Sequence, residues 1–170
     1  MHIDQLVFDF RKAIEAVRDN GGFDNNFFKD FPYYCCGTAS ELLAVYLANN
    51  GIKTLYISAV LGEDSHAWLV VADDELYKKY AVSRNFDDVG YDMLEELRGR
   101  VIIDITADQY KDRVDMGCYN VPVFIGEPDD FHKKFTVDCI GDYVGIANLY
   151  GLGFDASYIL NKILIYMGKV

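Results

Sequence analysis

Two runs of β-branched, aromatic and aliphatic residues constrain the fold of this chain more than any other feature of its sequence. They extend from Lys53 to Leu61 and from His66 to Ala72. The four residues between them, Gly62-Glu63-Asp64-Ser65, are typical of a hairpin loop. The pattern therefore predicts two antiparallel strands joined by a short connection.

Two stretches with helical spacing precede this hairpin. In residues 3–19 the apolar side chains fall on one stripe, and Asn20-Gly21-Gly22 follows as a stop signal. Apolar positions recur at the same spacing from Gly37 to Asn49. The connection from Phe23 to Tyr34 is rich in Asn, Asp and Phe, which predicts irregular structure leading to Cys35-Cys36.

The chain beyond the hairpin mixes both patterns. An acidic segment at about 74–99 is helical in character, with a short helix possible at 93–97, and we interpret it as an insertion between strands. Strand character resumes at Val101–Thr106 and at Val121–Ile125, and the tail from Phe131 to Val170 contains helical stretches punctuated by glycines. This order of elements predicts an α+β fold with additional N- and C-terminal helices.

The composition is that of one ordinary domain and excludes several classes of partner. With 170 residues, 51% of them hydrophobic, residues 1–170 are expected to form a single domain with its own core. The formal net charge of −11 repels nucleic-acid phosphates and anionic membranes, so neither is expected as a partner. No secretory leader or bilayer-spanning run is visible. We therefore expect a cytoplasmic location and free thiols, and no feature indicates an oligomeric state.

Cys36 comes directly before the second predicted helix, a position that suits a nucleophile. Unpaired backbone N–H groups and the positive end of the helix dipole stabilise a thiolate there and lower the pKa of the thiol. The same N–H groups can hydrogen bond the oxyanion that forms when the sulfur attacks an acyl carbon. Cys35 is adjacent and stands as the alternative nucleophile.

A histidine and an aspartate complete a possible catalytic set. His66 opens the second strand of the hairpin, where a period of two puts its ring on the face of Trp68, and that face could meet the helix. Asp104 interrupts an aliphatic strand, where a carboxylate is costly unless it binds a donor such as protonated His66. Nucleophile, base and orienting carboxylate then follow in chain order, an arrangement that recurs on unrelated folds. Asp108 is the alternative carboxylate, although its position suggests a loop or helix cap.

Three blocks of the sequence resemble the motif blocks of bacterial transglutaminase-like, papain-like cysteine proteins. They are CGTASELL from Cys36 to Leu43, SHAWL from Ser65 to Leu69, and IDITADQY from Ile103 to Tyr110. The resemblance extends over roughly residues 30–135. In that family a short turn usually joins the histidine strand to the aspartate strand, whereas here the predicted insertion intervenes.

The resemblance implies a role for each member of the set. Cys36 would be the nucleophile, His66 the general base and Asp104 the residue that orients the imidazole, on a core of one helix against an antiparallel sheet. The implied activity is acyl transfer from a thiol, by a thiol peptidase, an amidase or deamidase, or a transglutaminase acting on a protein or peptide substrate. The alternative is a catalytically inactive papain-like domain that binds a protein partner through an aromatic cleft or the acidic insertion.

Other polar and aromatic residues carry weaker hypotheses. Trp68 fits a core or cleft-wall aromatic, and Gln109 fits a structural hydrogen bond better than an oxyanion donor. Asn26 and Tyr34 remain open candidates for such a donor. His132 is expected to be an exposed helix-start residue without a function. Neither ligand spacing typical of zinc nor a phosphate-binding glycine pattern occurs, so no metal or cofactor is expected.

Overall fold

A computed structural model describes residues 2–24, 26–81, 87–88, 97–144, 147 and 152–169. Within these residues the protein combines α-helices with an antiparallel sheet, so the predicted α+β class is confirmed. The helices are α1 (Ile3–Asp19), α2 (Cys36–Asn49), α3 (Asp74–Ala81) and α4 (Phe154–Tyr166). The strands are β1 (Thr54–Leu61), β2 (Asp64–Val71), β3 (Asp87–Asp88), β4 (Ile102–Asp104), β5 (Phe124–Gly126) and β6 (Thr136–Gly141). Short 3-10 turns occupy Phe27–Asp30, Ala107–Tyr110 and His132–Lys134.

The predicted hairpin is confirmed, with a tighter turn than the sequence indicated. β1 and β2 pair along their whole length, and β2 begins at Asp64, opposite Leu61, rather than at His66. The connection is therefore the two residues Gly62 and Glu63. Gly62 has a φ of 62°, a left-handed conformation that glycine adopts without strain and that two-residue hairpin turns require.

The six strands are ordered β3-β6-β1-β2-β4-β5, with antiparallel neighbours throughout. β4 lies directly beside β2, with Leu69 opposite Ile103 and Val70 opposite Ile102. The strands that carry His66 and Asp104 are therefore neighbours, although a long segment separates them in sequence. β4 is shorter than the predicted strand, because the chain turns away directly after Asp104.

Two strands, β3 and β6, were not predicted from the sequence. The tail was predicted to contain helical stretches, but β6 is a strand that pairs with β1. Its inward residues are Val137 and Ile140, whose spacing breaks the period of two, and the register with β1 shifts between Ser58 and Ala59. A six-residue strand with a bulge leaves no clear alternation, which is why β6 was not predicted, whereas α4 confirms a helical stretch later in the tail. The predicted helix at 93–97 lies outside the described residues except for Leu97.

The sheet separates two apolar clusters. On one face α1, α2 and α4 pack together, and their core includes Phe10, Leu43 and Leu69. The other face carries a cluster that includes Trp68 and Phe135. Because alternate residues of a strand point to opposite faces, neighbouring residues of β2 belong to different clusters. No helix in the described parts of the chain is long and apolar enough to cross a membrane.

Candidate active site

Two adjacent cysteines at the start of α2 have different surroundings. Cys35 is buried at the N-cap, and its thiol donates to the carbonyl oxygen of Pro32 at 3.4 Å. Burial, with the neighbouring Cys36, raises the pKa of the Cys35 thiol far above its ordinary value. Cys36 is the first residue of the helix and lines an open cleft. The structure thus gives Cys36, and not Cys35, the surroundings of a nucleophile.

The Cys36 thiol interacts with two side chains and one backbone group. Burial raises its pKa, but the hydrogen bond and charge of His66, the Gln109 amide and the backbone of Ala67 outweigh that effect and lower the pKa below the ordinary value. The position at a helix N-terminus also favours the thiolate, because the positive end of the helix dipole lies there. A thiol in these surroundings is ionised more readily than a free cysteine.

His66 joins the thiol to a buried carboxylate. Its Nε2 lies 2.6 Å from Oδ2 of Asp104, and its Nδ1 lies 2.9 Å from Nε2 of Gln109. Burial lowers the pKa of His66, but the charge of Asp104, its hydrogen bond and the contact with Cys36 raise that pKa to about 9. The raised pKa of the imidazole and the lowered pKa of the thiol both favour transfer of the thiol proton to His66. The three predicted residues are brought together.

The His66 ring lies on the face of the sheet predicted from its position in the strand. Its centroid is 5.6 Å from that of Trp68, which is buried as expected for a core or cleft-wall aromatic. Tyr110, Phe131 and Phe135 also contact the imidazole. Most of α2 packs on the other face of the sheet. His66 therefore contacts α2 only at its first residue, Cys36.

Asp104 is fully buried and completely hydrogen bonded. Its Oδ1 accepts from the backbone N–H of Thr106 at 2.8 Å and from the Thr106 hydroxyl at 3.2 Å, while Oδ2 faces His66 and His132. Burial by itself raises the pKa of the carboxyl, but the charge of His66 and the hydrogen bonds from both histidines hold it well below its usual range. Asp104 is thus ionised and fixed in orientation.

His132 was expected to be exposed, and this prediction was wrong, because 2% of the residue is accessible. Its Nε2 lies 3.2 Å from Oδ2 of Asp104, and its Nδ1 lies 2.7 Å from Oδ1 of Asp129. The second oxygen of Asp129 accepts from the Tyr119 hydroxyl at 2.6 Å. The carboxylate behind His66 is therefore held by a second histidine. The spacing of Asp129 and His132, three residues apart before a strand, was the available signal.

Gln109 is placed beside the sulfur by a buried ion pair. The 3-10 turn that carries it also carries Asp108, whose carboxylate accepts two hydrogen bonds from Arg11 of α1, at 3.0 and 2.9 Å. Arg11 also donates to the carbonyl oxygens of Ile105 and Pro122. Asp108 is therefore occupied by Arg11, and Asp104 is the carboxylate that meets His66.

The three candidates for an oxyanion donor differ in their contacts. Asn26 accepts from the backbone N–H of Phe28 and caps a 3-10 turn, so its side chain has a structural partner. Tyr34 lines the cleft beside Cys36. Gln109, expected to make a structural hydrogen bond, makes one to the imidazole of His66, and its amide also interacts with the Cys36 thiol. Among these three residues, Gln109 is the one whose side chain lowers the pKa of the Cys36 thiol.

The cleft is large enough for a peptide side chain and its backbone. It encloses about 510 Å³ and is open to solvent. Its described walls come from three separate parts of the chain, with Cys36 at the base: Tyr33, Tyr34, Glu63, Asp64, Ser65, Gln109, Tyr110, Asp112 and Arg113. In the described residues no group of three or more histidine, cysteine, aspartate or glutamate side chains is arranged to hold a metal ion.

Comparison with known proteins gives no match. No protein-family model matches the chain, and no curated protein or solved structure is significantly similar to it. A function for the chain is therefore inferred from the geometry of its site.

Proposed function

We propose that this protein is a cysteine-dependent acyl-transfer enzyme of papain-like or transglutaminase-like type, acting on a protein or peptide. The observation that carries the proposal is the buried pair of His66 and Asp104, 2.6 Å apart, with the other nitrogen of the imidazole directed to Cys36 and Gln109. A helix that presents cysteine to a histidine–aspartate pair on an antiparallel sheet also supports this fold type. The contact of Cys36 with a histidine that a carboxylate orients supports an activated nucleophile.

The proposed reaction begins with the imidazolium–thiolate pair. The Cys36 thiolate attacks an amide or ester carbonyl carbon, and the carbonyl oxygen becomes an oxyanion. His66 then gives its Nδ1 proton to the leaving group, while Asp104 holds the ring through Nε2. The resulting thioester is resolved by water, which gives hydrolysis, or by an amine, which gives transamidation.

Gln109 has a role that depends on the protonation of His66. When Nδ1 carries no proton, it accepts the hydrogen bond from the Gln109 amide. When Nδ1 is protonated, it donates to the Cys36 sulfur, and the amide is free to donate to the sulfur or to the oxyanion. The backbone N–H of Cys36 at the helix start supplies a second donor.

The test is alkylation by iodoacetamide from about pH 4 to about pH 9, read by mass spectrometry at each cysteine. In the wild type, Cys36 should react well below the ordinary thiol pKa of about 8.5, and exposed Cys118 serves as the reference thiol in the same molecule. The His66→Ala variant should lose the low-pH reaction at Cys36 and leave Cys118 unchanged. If Cys36 reacts like Cys118 in the wild type, the catalytic proposal fails and a protein-binding role replaces it.

A further inference from the structure

The cleft beside Cys36 carries an excess of negative charge. Three carboxylates line it, from Glu63, Asp64 and Asp112. Among its described lining residues, Arg113 is the one cation. Whether nearby carboxylates neutralise Arg113 therefore decides if the cleft favours an anionic or a cationic occupant.

The guanidinium of Arg113 is already bound on two sides. It donates to Asp64 through bonds of 3.1 and 2.9 Å, and to Asp115, outside the cleft lining, through bonds of 2.9 and 2.5 Å. Two carboxylates on one guanidinium leave no net positive charge to attract an anionic ligand. In the described part of the chain neither Glu63 nor Asp112 is paired with a cation, and Asp112 accepts a hydrogen bond from the Tyr33 hydroxyl at 3.1 Å.

Aromatic rings lie among these carboxylates. Tyr34 is 94% exposed and lines the cleft, as do Tyr33 and Tyr110. Lys111 is the cation nearby, with its Nζ 5.7 Å from the centroid of the Tyr33 ring, and it does not line the cleft. A cation is attracted electrostatically to the face of an aromatic ring, and the methylene stem of a lysine or arginine packs against such rings.

We propose that the cleft selects substrates with a positively charged group beside the acyl carbon that Cys36 attacks, such as a peptide with a lysine or arginine next to the reacting bond. Glu63 and Asp112 bind the charge, and Tyr34 packs against its stem. This inference rests on the proposed function, because it takes Cys36 as the reacting atom. It goes further by assigning the charge of the substrate.

The test compares three methanethiosulfonates that react by the same chemistry and differ in charge. The thiolate attacks the sulfenyl sulfur, forms a mixed disulfide and releases methanesulfinate. The cationic reagent is trimethylammonioethyl methanethiosulfonate, the anionic one is sulfonatoethyl methanethiosulfonate, and the neutral one is the methyl compound. Rates at Cys36 are divided by rates at exposed Cys118 in the same molecule, which removes the effect of the net charge of −11.

We expect this normalised rate to be roughly tenfold higher for the cationic than for the anionic reagent at low ionic strength, and to approach equality at high salt, because the carboxylates act through a screened field. Glu63→Gln and Asp112→Asn should each reduce the preference severalfold. Glu75→Gln is the matched control, since it removes the same charge from exposed α3 at the opposite end of β2. It should leave the preference unchanged.

The outcomes separate the two proposals. Equal rates for the two charged reagents, with rapid low-pH reaction of the neutral one at Cys36, would overturn the charge selection and leave the catalytic proposal standing. An unchanged preference in both cleft variants would also overturn it. If the neutral reagent modifies Cys36 no faster than Cys118 at low pH, both proposals fail together.

Discussion

At the scale of single residues, the site depends on one carboxylate that has no contact with solvent. Asp104 binds His66, His132 and the Thr106 backbone with its two oxygens. A buried carboxylate is tolerated because every acceptor position is used and positive charge lies beside it. The orientation of His66 is therefore determined by burial as much as by hydrogen bonding.

Asp104→Asn tests this role. The amide keeps the shape but removes the charge that raises the pKa of His66, so the imidazolium–thiolate pair weakens. We expect the alkylation rate of Cys36 at about pH 6 to fall at least tenfold, and the free energy of unfolding to fall by about 3 kcal/mol. Asp142→Asn is the control, because Asp142 is also buried but binds Tyr77. A loss of Cys36 reactivity in both variants would point to general destabilisation instead.

Gln109→Ala tests the second partner of the thiol. Without the amide, the pKa of Cys36 should move up toward the ordinary value, while His66 keeps its carboxylate. We expect the pH profile of iodoacetamide alkylation at Cys36 to move to higher pH, since the thiolate loses a hydrogen bond that stabilises its charge. Gln5→Ala, an exposed glutamine on α1, should change nothing. An unchanged pKa in Gln109→Ala would return Gln109 to a structural role.

At the scale of elements, α1 takes part in the site without touching it. Arg11 is 4% exposed and binds Asp108 of the turn that carries Gln109, together with two backbone carbonyls. A helix whose Arg11 lies 97 positions before Asp108 in sequence thus fixes the turn beside Cys36. Glu15, one turn along α1, holds the guanidinium from its outer side at 2.8 Å.

Arg11→Met should destabilise the protein by about 3 to 5 kcal/mol, because it leaves the carboxylate of Asp108 buried without a partner. Urea unfolding measures this, and the double variant with Asp108→Asn should recover part of the loss. Glu15→Gln is the control and should cost about 1 kcal/mol or less, since that pair is partly exposed. If the single and double variants are equally unstable, the ion pair is not the source of the effect.

The elements differ in how far the sequence predicted them. The sequence predicted α1, α2 and the hairpin because their hydrophobic patterns extend over many residues. The residues that end each of these elements also follow directly in the sequence. β6 was missed because its alternation is broken, and the burial of His132 because its partners are distant in sequence. Cys36, His66 and Asp104 were found through three local motif blocks, whereas the pair of Arg11 and Asp108 spans 97 positions and leaves no local pattern.

At the scale of the whole molecule, His66 couples stability to pH, because the charge of Asp104 raises its pKa against the effect of burial. In Cys36→Ser no thiol titrates beside His66, and the main cause that raises the pKa of His66, Asp104, remains. A raised pKa stabilises the fold fully below the unfolded value of about 6.5 and loses that stabilisation as the pH rises through the folded value. We therefore expect the free energy of unfolding of Cys36→Ser to fall between about pH 6.5 and about pH 9.

Urea unfolding at several pH values in this window measures the effect. The double variant Cys36→Ser/His66→Gln is the control, and its profile should be flatter because the titrating imidazole is gone. Profiles of equal slope for the single and double variants would show that the pKa of His66 is not raised by folding.

The walls of the cleft and the residues behind it belong to different parts of the chain. The turn at Gly62-Glu63, the exposed Tyr34 and the segment at 109–113 form the rim, whereas His66 and Asp104 are sealed beneath it. Under the proposed function, substitutions or insertions at the hairpin turn change which substrates enter the cleft and leave the hydrogen bond between His66 and Asp104 in place. Because of this division, the selectivity of the cleft and the buried histidine–aspartate pair can change independently in evolution. Grafting a longer turn between Leu61 and Asp64 is therefore a direct route to altered selectivity.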